Sequence, residues 1–159
     1  GHGGVTIGSE CSGGTRWVFA EKCQMDSPNL DGALRFKNNA ARGGVIEHVY
    51  MRDVTDVQVA VAVLSVDFNY EEGPKGDFVP VVRDVEMRNV TSQKSNYGVY
   101  VRAFARSTIE NIRLIDCSFD GVAKGNVAEH VKDLTVRNVR INGQAVSAAS
   151  LAAGAAASP

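Results

Sequence analysis

The chain has 159 residues, 44% apolar and 22% charged, the balance of one ordinary globular domain with a sizeable core. Seventeen Lys and Arg against eighteen Asp and Glu leave a formal charge of −1, so the net balance points to neither nucleic acid nor an anionic membrane surface. No run reaches the roughly 20 apolar residues that a membrane-spanning helix needs, and Gly1-His2-Gly3-Gly4 has neither the basic nor the apolar region of a signal peptide.

In chain order, Gly3-Gly4 and Gly13-Gly14 read as tight turns rather than phosphate loops, because no Lys-Ser/Thr pair follows and no helix start is evident. The first predicted strand is Val18-Phe19-Ala20-Glu21-Lys22-Cys23, then Ala33-Leu34-Arg35-Phe36-Lys37, Val49-Tyr50-Met51-Arg52-Asp53-Val54 and Val63-Leu64-Ser65-Val66-Asp67-Phe68. Glu71-Glu72-Gly73-Pro74-Lys75-Gly76-Asp77 interrupts as a loop, of the kind that edges a binding face. Strands resume at Val85-Glu86-Met87-Arg88-Asn89-Val90, Gly98-Val99-Tyr100-Val101-Arg102, Ile112-Arg113-Leu114-Ile115-Asp116-Cys117 and Leu134-Thr135-Val136-Arg137-Asn138-Val139. From about Gln144 the sequence turns Ala-, Ser- and Gly-rich, which predicts a tail over 144–159 that is mobile or a short non-native helix, after a domain spanning 1–143.

Five of these segments, starting at 18, 49, 85, 112 and 134, share the pattern apolar-x-apolar-x-x-apolar. A spacing of two is the strand period, and units repeating every 22 to 36 residues imply stacked coils. Coils that cannot cover their own apolar side bury it against their neighbours, which predicts an all-β chain, a parallel β-helix of about five coils. The residue before the last apolar position is Lys22, Asp53, Asn89, Asp116 or Asn138, a column suited to the left-handed backbone of a sharp corner. In the intervening strands strict alternation turns Leu34, Phe36, Leu64, Val66, Phe68, Val99 and Val101 inward, leaving Arg35, Lys37, Ser65, Asp67, Tyr100 and Arg102 outward. Cys23 and Cys117 fall in one interior column and read as buried thiols. With Cys11 they show no metal-ligand or redox spacing, so no cofactor or metal is implied.

Gly1-His2-Gly3-Gly4-Val5-Thr6-Ile7-Gly8-Ser9-Glu10 followed by Ala33-Leu34-Arg35-Phe36-Lys37 resembles the third and fourth signature motifs of the polygalacturonases, pectin-degrading glycoside hydrolases. The later repeats resemble carboxyl-terminal coils of bacterial members, so the likeness spans roughly residues 1–143 and implies a right-handed helix. The resemblance assigns His2 an auxiliary catalytic place and makes Arg35 and Lys37 the carboxylate-binding pair of a galacturonate ring. Strand geometry agrees with that pairing: residues two apart project from one face about 6.5–7 Å apart, so an Arg fork and a Lys point charge can converge on one carboxylate. Tyr100, outward in a later coil, is a candidate ring for stacking on a sugar.

The family's Asn-Thr-Asp and Asp-Asp motifs are absent from this sequence. Inverting hydrolysis needs two carboxyl groups about 6.5–9.5 Å apart, and neither Asp31 nor Asp67 carries a motif marking it as one of them. The sequence therefore reads as the C-terminal segment of a hydrolase of α-1,4-galacturonan, inactive by itself, with a non-catalytic acidic-polysaccharide-binding or structural solenoid as the alternative. Galacturonan or oligogalacturonate is the expected partner, self-association through an open end of the stack is expected, and the resemblance implies an extracellular or periplasmic setting.

Overall fold

The computed structural model describes residues 3–107 and 109–155. In chain order its elements are β1 (Val5–Ile7), β2 (Thr15–Glu21), β3 (Gln24–Asp26), β4 (Gly32–Lys37), β5 (Val45–Gln58), β6 (Ala62–Asp67), β7 (Val81–Ser92), β8 (Tyr97–Arg102), β9 (Ile109–Phe119), β10 (Val127–Glu129), β11 (Val131–Ile141), β12 (Gln144–Val146) and α1 (Ala148–Ala155). The odd and even turns of the chain sort into two sheets. One has the order β1-β4-β6-β8-β10, all parallel, and the other runs β2-β5-β7-β9-β11, also parallel, with β3 against the end of β5 and β12 antiparallel on β11. Each passage from one sheet to the other and back is one coil, so the described residues form five coils of a right-handed parallel β-helix, the expected fold.

Alternation decides what each coil buries. Leu34, Leu64 and Val99 stand in one register column and Phe36, Val66 and Val101 in the next, all at most 2% exposed. Across the interior, Val49, Val85 and Ile112 form one column and Met51, Met87 and Leu114 another. Each fully buried side chain of this size contributes roughly 1.5–3 kcal/mol of transfer free energy, and the stacking of like on like makes the core continuous along the axis.

The expected corner column is present. Lys22, Asp53, Asn89, Asp116 and Asn138 all have φ between 52° and 54°. A second left-handed column lies five residues earlier, at Trp17, His48, Asp84, Asn111 and Asp133, with φ from 52° to 60°. Together the two columns bend β5, β7, β9 and β11 twice, so each is a strand wrapped around a double corner. The second column stands one residue ahead of each repeated segment, outside the apolar-x-apolar-x-x-apolar pattern. A left-handed conformation costs a non-glycine residue roughly 1–2 kcal/mol. Cross-coil hydrogen bonds offset part of that cost: Asn89 Nδ2 donates to Asp53 Oδ1 at 2.6 Å, Asn138 Nδ2 to Asp116 Oδ1 at 2.9 Å, and Asn111 Nδ2 to Asp84 Oδ1 at 3.3 Å.

In the tail, residues 144–155 form β12 and α1. β12 folds back on β11, and α1 lies against β10 and β11 with Leu151 only 1% exposed. A single Leu in an Ala-rich segment is enough, because it lands on the otherwise open apolar end of the stack. At the opposite end β1 and β2 are the outer strands of their sheets, and Trp17 and Phe19 are 59% and 57% exposed. All three cysteines are free thiols, and burial raises the pKa of Cys11 and Cys117.

Candidate functional site

The shorter sheet presents its outward columns to a cleft of about 240 Å³. Register fixes who faces it. Thr6, Arg35, Ser65 and Tyr100 follow one another from coil to coil, and beside them run Lys37, Asp67, Arg102 and Glu129. Arg35, Lys37 and Tyr100 line the same cleft, together with Asp31, Ser65, Asp67, Tyr70 and Tyr97. His2 lies outside the described residues.

The cations at the head of the cleft are held by aromatic and acidic neighbours. Arg35 Nη1 donates to Asp31 Oδ2 at 2.6 Å. The Tyr70 ring sits beneath both charges, 4.8 Å from Lys37 Nζ and 5.9 Å from Arg35 Cζ, within cation–π range. No carboxylate among the described residues comes within ion-pair distance of Lys37. Asp67 is occupied as a turn cap, its Oδ1 accepting from the Asn69 amide at 2.9 Å.

Tyr70 was not apparent from the sequence, where its one signal is its place directly before the Glu71–Asp77 loop. The structure holds that loop by several bonds. Asn39, fully buried, donates from Nδ2 to Tyr70 O at 3.1 Å and to Glu72 Oε2 at 2.8 Å. Arg106 Nη2 donates to Pro74 O at 2.8 Å and Gly76 O at 2.6 Å. Gly76, at φ 141°, passes so close to the Ala40 carbonyl that a Cβ would lie 2.3 Å from its oxygen, so only glycine fits the closing bend.

Further along the cleft, Tyr97 and Tyr100 tilt together with ring centroids 5.1 Å apart. Arg102, outward as expected, is already engaged: Nη1 donates to Tyr100 Oη and Nε to Glu129 Oε2, both at 3.1 Å. These partners raise its pKa, the Tyr100 bond foremost, against partial burial.

The outward face of the longer sheet carries a different constellation. Trp17 stacks on His48 with centroids 4.2 Å apart, and Phe19 on Tyr50 at 5.4 Å. Asp84 is its hub: Tyr50 Oη donates to it at 2.6 Å, Arg113 Nη1 at 2.6 Å, and His48 Nδ1 hydrogen-bonds the same carboxylate. Burial alone would raise the Asp84 pKa, but the bonds from Tyr50, His48 and Arg113 and the Arg113 charge outweigh it and bring it from 3.8 to about 2. Glu86 beside it is paired with Arg52, Arg88 and Arg113. Every charge in this network has a protein partner, which makes it structural reinforcement of the corner.

Fold and cleft define a parallel β-helix with a cleft lined by cations and aromatic rings on its shorter sheet. No protein-family model and no curated protein matches the sequence. Among solved structures, a hyperthermoactive exopolygalacturonase from Thermotoga maritima matches with a TM-score of 0.84 and 32% identity. The match covers 90% of this chain and 31% of that one. The chain thus has the fold of a polygalacturonase-type β-helix and spans about a third of the length of the enzyme it matches.

Proposed function

We propose that this chain is a segment of a polygalacturonase-like hydrolase of α-1,4-galacturonan that supplies the uronate-binding part of the site and does not cleave the polymer by itself. The observation that carries the reading is the convergence of Arg35 and Lys37 over Tyr70 in a cleft floored by Tyr97 and Tyr100. A galacturonate carboxylate between the two cations would take a bidentate bond from Arg35 and a point charge from Lys37, while its ring packs on an aromatic face. His2 belongs to the proposal as the auxiliary residue beside the reacting bond. Asp31 and Asp67 are tied to Arg35 and to the Asn69 turn, and no acid–base pair like that of the family is evident in the sequence. Secretion and a cell-wall substrate are part of the same reading. No helix among the described residues is long and apolar enough to cross a membrane.

The test pairs two measurements on the purified chain. Trigalacturonate is expected to bind, with an affinity that falls severalfold between low and physiological salt because exposed charges are screened, and polygalacturonate incubated with the chain is expected to release no reducing ends. Binding indifferent to salt would count against the cationic cleft. Reducing-end release that disappears in Asp67→Asn would place a working acid in this chain and overturn the non-cleaving reading.

We infer also that the chain self-associates through the open edges of β1 and β2, where unpaired strand groups lie beside Trp17 and Phe19. Light scattering is expected to show a mass that rises with concentration. A constant monomer mass across a hundredfold range of concentration overturns it.

A further inference from the structure

Arg35 and Lys37 serve one carboxylate, yet the aromatic floor continues two coils beyond them. Arg35, Ser65 and Tyr100 are successive rungs, and two rungs of a sheet span roughly 10 Å, too far for one sugar carboxylate to reach both ends. The outward cation at the far end by register is Arg102, but Glu129 and the Tyr100 hydroxyl already hold it. The other cation there comes from the turn between β9 and β10. Lys124 donates its main-chain amide to Asn96 O at 2.8 Å, which seats it one rung past Tyr97. Its ammonium reaches back over the Tyr97 ring, 5.5 Å from the centroid. The side chain is exposed, and no carboxylate among the described residues lies within ion-pair distance of it.

We propose that Lys124 forms a second anionic subsite, which takes the carboxylate of a later sugar in the same uronate oligomer while intervening rings rest on Tyr97 and Tyr100. The inference rests on the uronate-binding reading of the cleft and adds that the site measures chain length. A monomer occupies only the Arg35 and Lys37 end. A longer oligomer gains a contact at Lys124, so affinity rises stepwise once the chain can span the floor.

The experiment is calorimetric titration of the full chain with galacturonic acid and with di-, tri- and tetragalacturonate, for the wild type, Lys124→Ala and Lys132→Ala. Lys132, paired with Glu110 on the other sheet, controls for loss of one surface charge. In the wild type, affinity is expected to rise about three- to fivefold beyond its gradual trend at the length that reaches Lys124, as befits one exposed charge contact. Lys124→Ala is expected to remove that step and leave monomer binding unchanged, and Lys132→Ala to change neither. An equal loss at every length, or a step that survives Lys124→Ala, overturns the second subsite while leaving the first intact. Absence of binding at all lengths overturns both.

Discussion

Arg35→Ala is expected to weaken trigalacturonate binding by about tenfold to a hundredfold. A bidentate, charge-assisted pair contributes about 1.5–3 kcal/mol, and each 1.4 kcal/mol is tenfold in affinity. The substitution also takes from Asp31 the guanidinium that it holds at 2.6 Å. Arg35→Lys keeps the charge and loses the planar fork, so its loss is expected to be intermediate. Lys37→Ala is expected to cost less, because the ammonium offers a point charge and is partly satisfied by the Tyr70 ring. Isothermal titration at low salt reads all three. An Arg35→Ala chain with unchanged affinity and an intact circular dichroism spectrum would remove the cleft from the binding site.

Asp84→Ala is expected to destabilise the fold by about 1–3 kcal/mol at neutral pH, since it leaves Tyr50 and His48 without their shared acceptor and takes from the half-buried Arg113 one of its carboxylate partners, the Glu86 pair remaining. The same hub predicts an acid dependence. The Asp84 pKa is lowered in the folded chain, from 3.8 to about 2, so its contribution is fully present above pH 4 and is lost as pH falls towards 2. A shift of that size is worth about 2 kcal/mol. Urea midpoints measured from pH 7 to pH 2 are therefore expected to fall steeply below pH 4 in the wild type and less steeply in Asp84→Asn. Parallel curves for the two proteins would show that the carboxylate is not the titrating support of the corner.

Much of the architecture follows from short-range pattern. A period of two over Ala33–Lys37, Val63–Phe68 and Gly98–Arg102 is enough to turn Leu34, Phe36 and Val66 inward and Arg35 and Lys37 outward, because successive side chains of a strand must take opposite faces. Asp53, Asn89, Asp116 and Asn138 mark a corner for an equally local reason, since their side chains tolerate and hydrogen-bond around a left-handed backbone. The earlier corner at Trp17, His48, Asp84, Asn111 and Asp133 has largely the same preference, Trp17 excepted, which is held by stacking on His48, but it stands one residue ahead of the repeated apolar pattern that marks the later corner.

The sequence by itself therefore determined the strand faces, the stacking repeat and the pairing of Arg35 with Lys37, all properties of residues within a few positions of one another. Tertiary structure alone decided that Tyr70 lies under that pair, that Glu129 withdraws Arg102 from the cleft, that Lys124 leans over Tyr97, and that Leu151 closes the end of the stack. These contacts join residues tens of positions apart or on different coils. They depend on loop lengths and inter-coil register, which no local periodicity encodes.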